Sequence, residues 1–207
     1  MKIRMAAIIA IFLGLLCAPP AFASCGWIIY HESAFKGKVI DAETKEPIEG
    51  AVVVAVYHIR KYGIGAGIMS DSTVVGVRED LTNKKGEFFI PSHTFCSLWP
   101  FAIGETTEFV IYKHEYTSFP SFDYPRYFPD SPLLKVDILT LSEIFKKGVT
   151  VELMKLRTWE ERYKANMISI SDIPKTKWPI LAQMIEKEDE WLRRNKAWRR
   201  KVNEDLY

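Results

Sequence analysis

Cysteine is scarce in this chain, with three residues among 207. That is too few for a small scaffold held together by several disulfides. Charge of one sign is lacking too. Lysine and arginine number 28 and aspartate and glutamate 26, for a net charge of +2. Such a balance excludes the basic footprint of a nucleic-acid binder, so no nucleic-acid partner is expected. Histidine occurs only at His31, His58, His93 and His114. None stands in an H-x-x-E, H-E-x-x-H or H-x-H arrangement, so no zinc-peptidase site is written here. His31–Glu32 and His114–Glu115 are adjacent pairs, and neighbours on a strand point to opposite faces. No G-x-S-x-G marks a serine nucleophile. Gly63, Gly65 and Gly67 fit neither the dinucleotide fingerprint nor the P-loop. His93 precedes Cys96 by three residues, a nucleophile pair with no evident third group to orient it. No catalytic residue, metal ligand or cofactor is therefore expected.

What is present begins with an export signal. Lys2 and Arg4 precede an apolar run from Met5 to Cys17, Pro19–Pro20 breaks it, and Ala21-Phe22-Ala23 supplies a cleavage site. The run falls short of the ~20 apolar residues that cross a bilayer. Residues 1–23 read as the signal peptide of a bacterial protein exported to the periplasm or the outer membrane. Cys25 admits two readings that exclude each other. Ala21-Phe22-Ala23-Ser24-Cys25 fits a loose lipoprotein box, which makes Cys25 an acylated first residue. The membrane is then a partner, since each buried CH₂ of an acyl chain contributes ~0.8 kcal/mol. In the other reading Cys25 and Cys96, left after Cys17 departs with the signal, form a disulfide in an oxidising compartment.

The stretch from Gly37 to Val53, GKVIDAETKEPIEGAVV, is a strand, a polar turn and a second strand. Pro47 suits a strand edge, since it cannot donate to a ladder. Asp41 and Thr44 can bond the turn backbone. Gly50 supplies a backbone angle that other residues resist. Thr82-Asn83-Lys84-Lys85-Gly86-Glu87-Phe88 is a second turn, with Gly86 reversing the chain. With Gly37, Val39, Asp41, Thr44, Pro47, Ile48, Gly50, Ala51 and Val53, this pattern resembles the carboxypeptidase regulatory-like family. Asn83 stands where the family usually has Asp. The resemblance covers about residues 34–156 and implies a transthyretin-like β-sandwich, an accessory module without the peptidase its family name mentions. Fold alone does not fix function.

Strands are predicted over Phe35–Ala42, Gly50–Arg60, Thr73–Leu81, Gly86–Pro91, Glu108–Lys113, Leu133–Leu139 and Val149–Leu156, a mainly β, seven-stranded sandwich. Two insertions interrupt it. Tyr62–Met69 is glycine-rich. Tyr116–Pro132 holds six aromatics stiffened by prolines, and Tyr124, Tyr127 and Phe128 form the candidate binding surface. Residues 157–207 read as a helical extension, with Thr158 as an N-cap. A long helix follows over Lys177–Lys201, with Pro179 in its first turn. Leu181, Met184, Ile185, Glu188 and Leu192 share one face of that helix.

The function expected is that of a non-catalytic cell-envelope protein, a binding or structural β module whose partner is an envelope protein or glycan. The alternative is an envelope hydrolase assembled from dispersed His and Asp residues. A cleft holding His93 and His114 with a carboxylate within hydrogen-bond reach would favour it, and three well-separated histidines on the surface would count against it.

Overall fold

The computed structural model describes residues 29–62, 70–96, 102–121, 123–165, 168, 170 and 173–204. The predicted signal peptide, Cys25, the 63–69 glycine segment, Phe122 and the Cys96 side chain lie outside this description. So both readings of Cys25 fall outside it as well.

The protein is mainly β with a C-terminal helix. Eight strands are described: β1 (Ile29–Glu32), β2 (Phe35–Asp41), β3 (Val52–Tyr62), β4 (Ser70–Leu81), β5 (Glu87–Ile90), β6 (His93–Cys96), β7 (Ala102–Tyr112) and β8 (Val149–Leu153). They form a three-stranded sheet in the order β5-β2-β8, a second in the order β4-β3-β7, and a two-stranded ribbon of β1 and β6. β2 and β8 run parallel; the other pairs are antiparallel. Four helices follow in chain order: α1 (Tyr124–Tyr127), α2 (Ile138–Lys147), α3 (Trp159–Ala165) and α4 (Pro179–Glu204).

β3 explains the layering. Its sequence VVVAVYHI is continuously apolar rather than alternating, the pattern of a strand buried on both faces. Val53, Ala55 and Tyr57 join Phe35, Val39, Phe88, Ile90, Val151 and Leu153 of the other sheet in one core. Val52, Val54 and Val56 face the opposite way. With Val110 and Tyr112 they pack against Trp178, Leu181 and Ala182 at the start of α4.

The turns of the Gly37–Val53 motif are built as their residues dictate. Asp41 Oδ1 accepts the N–H groups of Glu43 and Thr44 at 2.8 and 3.0 Å. Asn83 Oδ1 accepts those of Lys85 and Glu87 at 2.8 and 3.1 Å, so Asn serves this turn. Gly86 has φ +74°, and a Cβ there would lie 2.4 Å from the Val39 carbonyl oxygen. Thr82 stitches the two turns together. Its hydroxyl donates to the Ile48 carbonyl at 2.6 Å and accepts the Ala51 N–H at 2.8 Å.

One predicted strand is corrected. Leu133–Leu139 is not extended: Pro132–Leu134 is a 3-10 turn, and α2 begins at Ile138. Asp137 Oδ1 caps α2 by accepting the Thr140 N–H at 2.7 Å, and Gly148 ends it at φ +108°. Those helix signals outweigh the short apolar alternation across 133–138. β1 (IYHE) and β6 (HTFC), each four residues long and with β6 close after Pro91, were not predicted.

α4 runs over Pro179–Glu204 rather than the predicted Lys177–Lys201, with Lys175–Lys177 in a 3-10 turn and Pro179 in the first turn as expected, but its cap comes from far away. The Glu79 carboxylate on β4 accepts the N–H groups of Ile180 and Leu181 at 3.0 and 2.9 Å. A negative group there satisfies orphan donors and complements the helix dipole. Glu79→Ala is expected to lower stability by about 0.5–2 kcal/mol. Hydrogen exchange should show the Ile180 and Leu181 amides losing protection first; unchanged protection there would disprove this capping role.

Candidate functional site

The aromatic insertion folds into α1 and a turn beside β8. Its three candidate aromatics have different fates. Tyr124 is 1% exposed and belongs to the core. Its ring meets Phe119 edge-on at 5.0 Å, and its hydroxyl donates to the Glu152 carbonyl at 3.2 Å. Tyr124 is therefore a core residue whose ring also forms part of the groove wall, supporting the surface from beneath. Tyr127 and Phe128 are half-buried and line a groove of about 650 Å³. The groove's other walls include Pro129, Pro132, Leu133, Ile144 and residues 148–150 and 152 of the β8 edge. Its charged side chains are Asp130 and Glu152, both carboxylates.

Burial raises the phenols of Tyr57 and Tyr124 from their ordinary value near 10 to about 12, with the Glu32 and Glu152 carboxylates acting in the same direction. The native state thus holds these protons more tightly than the unfolded chain does. The resulting stability is complete below pH 10 and is lost as pH rises through 12. A urea midpoint that is steady up to pH 10 and falls above it is expected, along with a late-ionising class of tyrosines in the absorbance titration. A titration in which all tyrosines ionise together near pH 10 would contradict it.

A second polar group lies under the β1–β6 ribbon. Glu32 and His93 are cross-strand partners, and His31 faces away, as adjacency on a strand requires. Glu32 is 6% exposed, with Lys146 Nζ at 2.7 Å. The His93 ring lies tilted against Tyr57, with centroids 4.8 Å apart, and a Cβ on Gly76 would come within 2.7 Å of His93 Nε2. Burial, aided by the nearby Arg78 guanidinium, lowers the His93 pKa. The imidazole is thus a neutral, packed ring. Glu32 and Tyr57 carried no sequence signal as members of this group, because the ribbon itself was not foreseen.

The third group sits on the opposite side of the β4-β3-β7 sheet. Arg162 of α3 grips Glu188 of α4 in a two-pronged bond, Nε–Oε1 at 2.7 Å and Nη2–Oε2 at 2.9 Å. Both residues are buried, at 5% and 2% exposure. His114 Nδ1 also bonds Glu188 Oε2. The Arg162 guanidinium lies 3.4 Å from the centre of the Trp191 ring and 3.4 Å from Glu115 Oε1. Glu188 was legible as the one charge on an otherwise apolar helix face; its partner 26 residues earlier was not. The cluster ties α3, α4 and the end of β7 together.

His93 and His114 therefore belong to separate groups, each tied to its own neighbours. Among the described residues, no three His, Cys, Asp or Glu side chains gather as a metal site, and no helix is long and apolar enough to cross a membrane. Compared with known protein families, curated proteins and solved structures, the chain matches none.

Proposed function

We propose that this chain is a non-catalytic, exported β module of the carboxypeptidase regulatory-like type, a transthyretin-like sandwich with additions, which binds a cell-envelope partner. The observation that carries this reading is the groove between α1 and β8, an apolar concavity with a few polar groups at its rim, as binding sites commonly are. Two further features support it. Asp41 of the Gly37–Val53 motif and Thr82 of the second turn spend their side chains on turn backbone. Buried Arg162 and Glu188 hold each other, and buried Glu32 is paired with Lys146.

The compartment is tested by the intact mass of the protein from its native membrane fraction. An acylated chain beginning at Cys25 makes it an anchored lipoprotein with a free Cys96. An unmodified chain beginning at Ser24 makes it a soluble periplasmic or secreted protein. A chain that retains residues 1–23 refutes export. The surface is tested by crosslinking in the envelope. Partners captured by the native chain should be lost in the Tyr127→Ala/Phe128→Ala double variant, and capture that survives this change places binding elsewhere.

A further inference from the structure

β8 is the outer strand of its sheet, and part of its free edge has no partner among the described residues. The backbone alternation shows which groups face outward. The Ala42 N–H donates to the Leu153 carbonyl across the β2–β8 ladder at 2.9 Å. Residues 149, 151 and 153 therefore turn their polar groups toward β2, while 150 and 152 turn theirs away. Two contacts agree. The Tyr124 hydroxyl reaches the outward carbonyl of Glu152. Met154, the next outward residue, accepts the Thr117 N–H at 2.9 Å and donates to Thr117 Oγ1 at 3.0 Å.

Beyond that point the edge is already paired. Tyr116 bridges Lys155 in antiparallel fashion, and the Leu156 N–H donates to the Glu115 carbonyl at 2.8 Å. Residues 115–117 thus lie along the continuation of β8 as a short strand would. The vacant stretch offers the N–H and carbonyl of Thr150 and the N–H of Glu152. Thr150 is exposed and Glu152 half-buried. The groove opens along this stretch.

Resting on the reading of the groove as a binding surface, we infer that it receives an extended peptide that adds to the sheet along Thr150 and Glu152, in line with residues 115–117. Unpaired backbone donors and acceptors at strand spacing are a template for another strand. The side-chain preference follows from the pleat. Alternate residues of the added strand fall on the core side, against Phe128, Leu133 and Ile144, and are apolar. The residues between them face the Asp130 and Glu152 carboxylates and are lysine or arginine. Lys135 and Lys45 hold these carboxylates at 3.8 and 2.8 Å in exposed pairs of the kind that contribute little, so a peptide cation can replace them.

The test uses the full chain, ¹⁵N-labelled, and a panel of capped heptapeptides in which lysine alternates with valine, isoleucine or phenylalanine. Binding should slow exchange of the Thr150 and Glu152 amides. N-methylation of the peptide at the positions that pair with β8 should weaken binding about tenfold for each bond lost. Glutamate in place of lysine should weaken it as well, and the Tyr127→Ala/Phe128→Ala variant should not bind while its β-sheet amides keep their shifts. Peptides that bind without slowing those two amides would overturn strand addition. If chito-oligosaccharides rather than peptides shift the groove resonances, strand addition fails while the binding module stands. If neither class shifts them, both readings fail.

Discussion

Glu188→Ala is expected to lower the unfolding free energy by about 3–5 kcal/mol, because it strands a buried guanidinium. In the native protein Arg162 is 5% exposed and holds both Glu188 oxygens. After the substitution its remaining polar neighbours are Glu115 at 3.4 Å and the His114 ring nitrogens at 3.3 and 3.4 Å, all longer contacts than those it loses. The Trp191 face stays in place, yet a cation over a ring is worth about 2 kcal/mol when desolvated. That does not replace a two-pronged carboxylate. The urea midpoint should fall with little change in slope. The double variant Arg162→Met/Glu188→Leu separates two accounts. If the loss comes from the stranded charge, replacing both partners with apolar residues should recover most of it. If the double variant is as unstable as the single one, the ion pair itself is the stabilising element, and the stranded-charge account is wrong.

Phe145→Ala is expected to cost a similar amount, about 3–5 kcal/mol, through a cavity in the main core. Phe145 is fully buried. Its ring stacks on Phe109 at 3.9 Å and approaches Phe88 at 6.1 Å and Phe119 at 6.5 Å. These neighbours come from β7, β5 and the aromatic insertion, so no single element can collapse into the space. Phe145→Leu should recover most of the stability. A cost below about 1 kcal/mol for the alanine variant would mean that α2 does not deliver this ring to the core.

Phe145 also shows where sequence reading stopped. The residues around it follow a helical cap at Asp137 and end at a glycine with positive φ, yet the preceding alternation looked like a strand. The Gly37–Val53 turns were readable because their φ angles and side-chain acceptors admit few residue types. β3 was readable as a strand from its β-branched run, and α4 from Pro179 and its apolar stripe. The capping box on α3 was readable in part. Thr158 was identified, and the structure adds Glu161, whose carboxylate accepts the Thr158 N–H at 3.1 Å.

The candidate site was half legible. Clustered aromatics and prolines marked the surface, but nothing local distinguishes Tyr124, which turns inward, from Tyr127 and Phe128, which do not. That choice depends on the single turn of α1 and on a carbonyl of β8. The unpaired edge was not legible at all. It exists because Val149–Leu153 pairs with a strand more than a hundred residues earlier, and sheet order is a property of the whole chain.

The two-sided burial of β3 bears on where this chain can be cut. The last strand of the sheets ends at Leu153, which makes residues 157–207 look like a removable tail. Yet Trp178, Leu181 and Ala182 cover Val52, Val54, Val56, Val110 and Tyr112. A chain stopped at Leu156 would present those five side chains to water as one contiguous apolar face, the kind of surface that associates. Such a truncate should self-associate on size-exclusion chromatography and bind a hydrophobic dye, and a stable monomer would show the helix to be dispensable. The packing of this protein thus runs past the end of the sequence motif and reaches at least to Ala182.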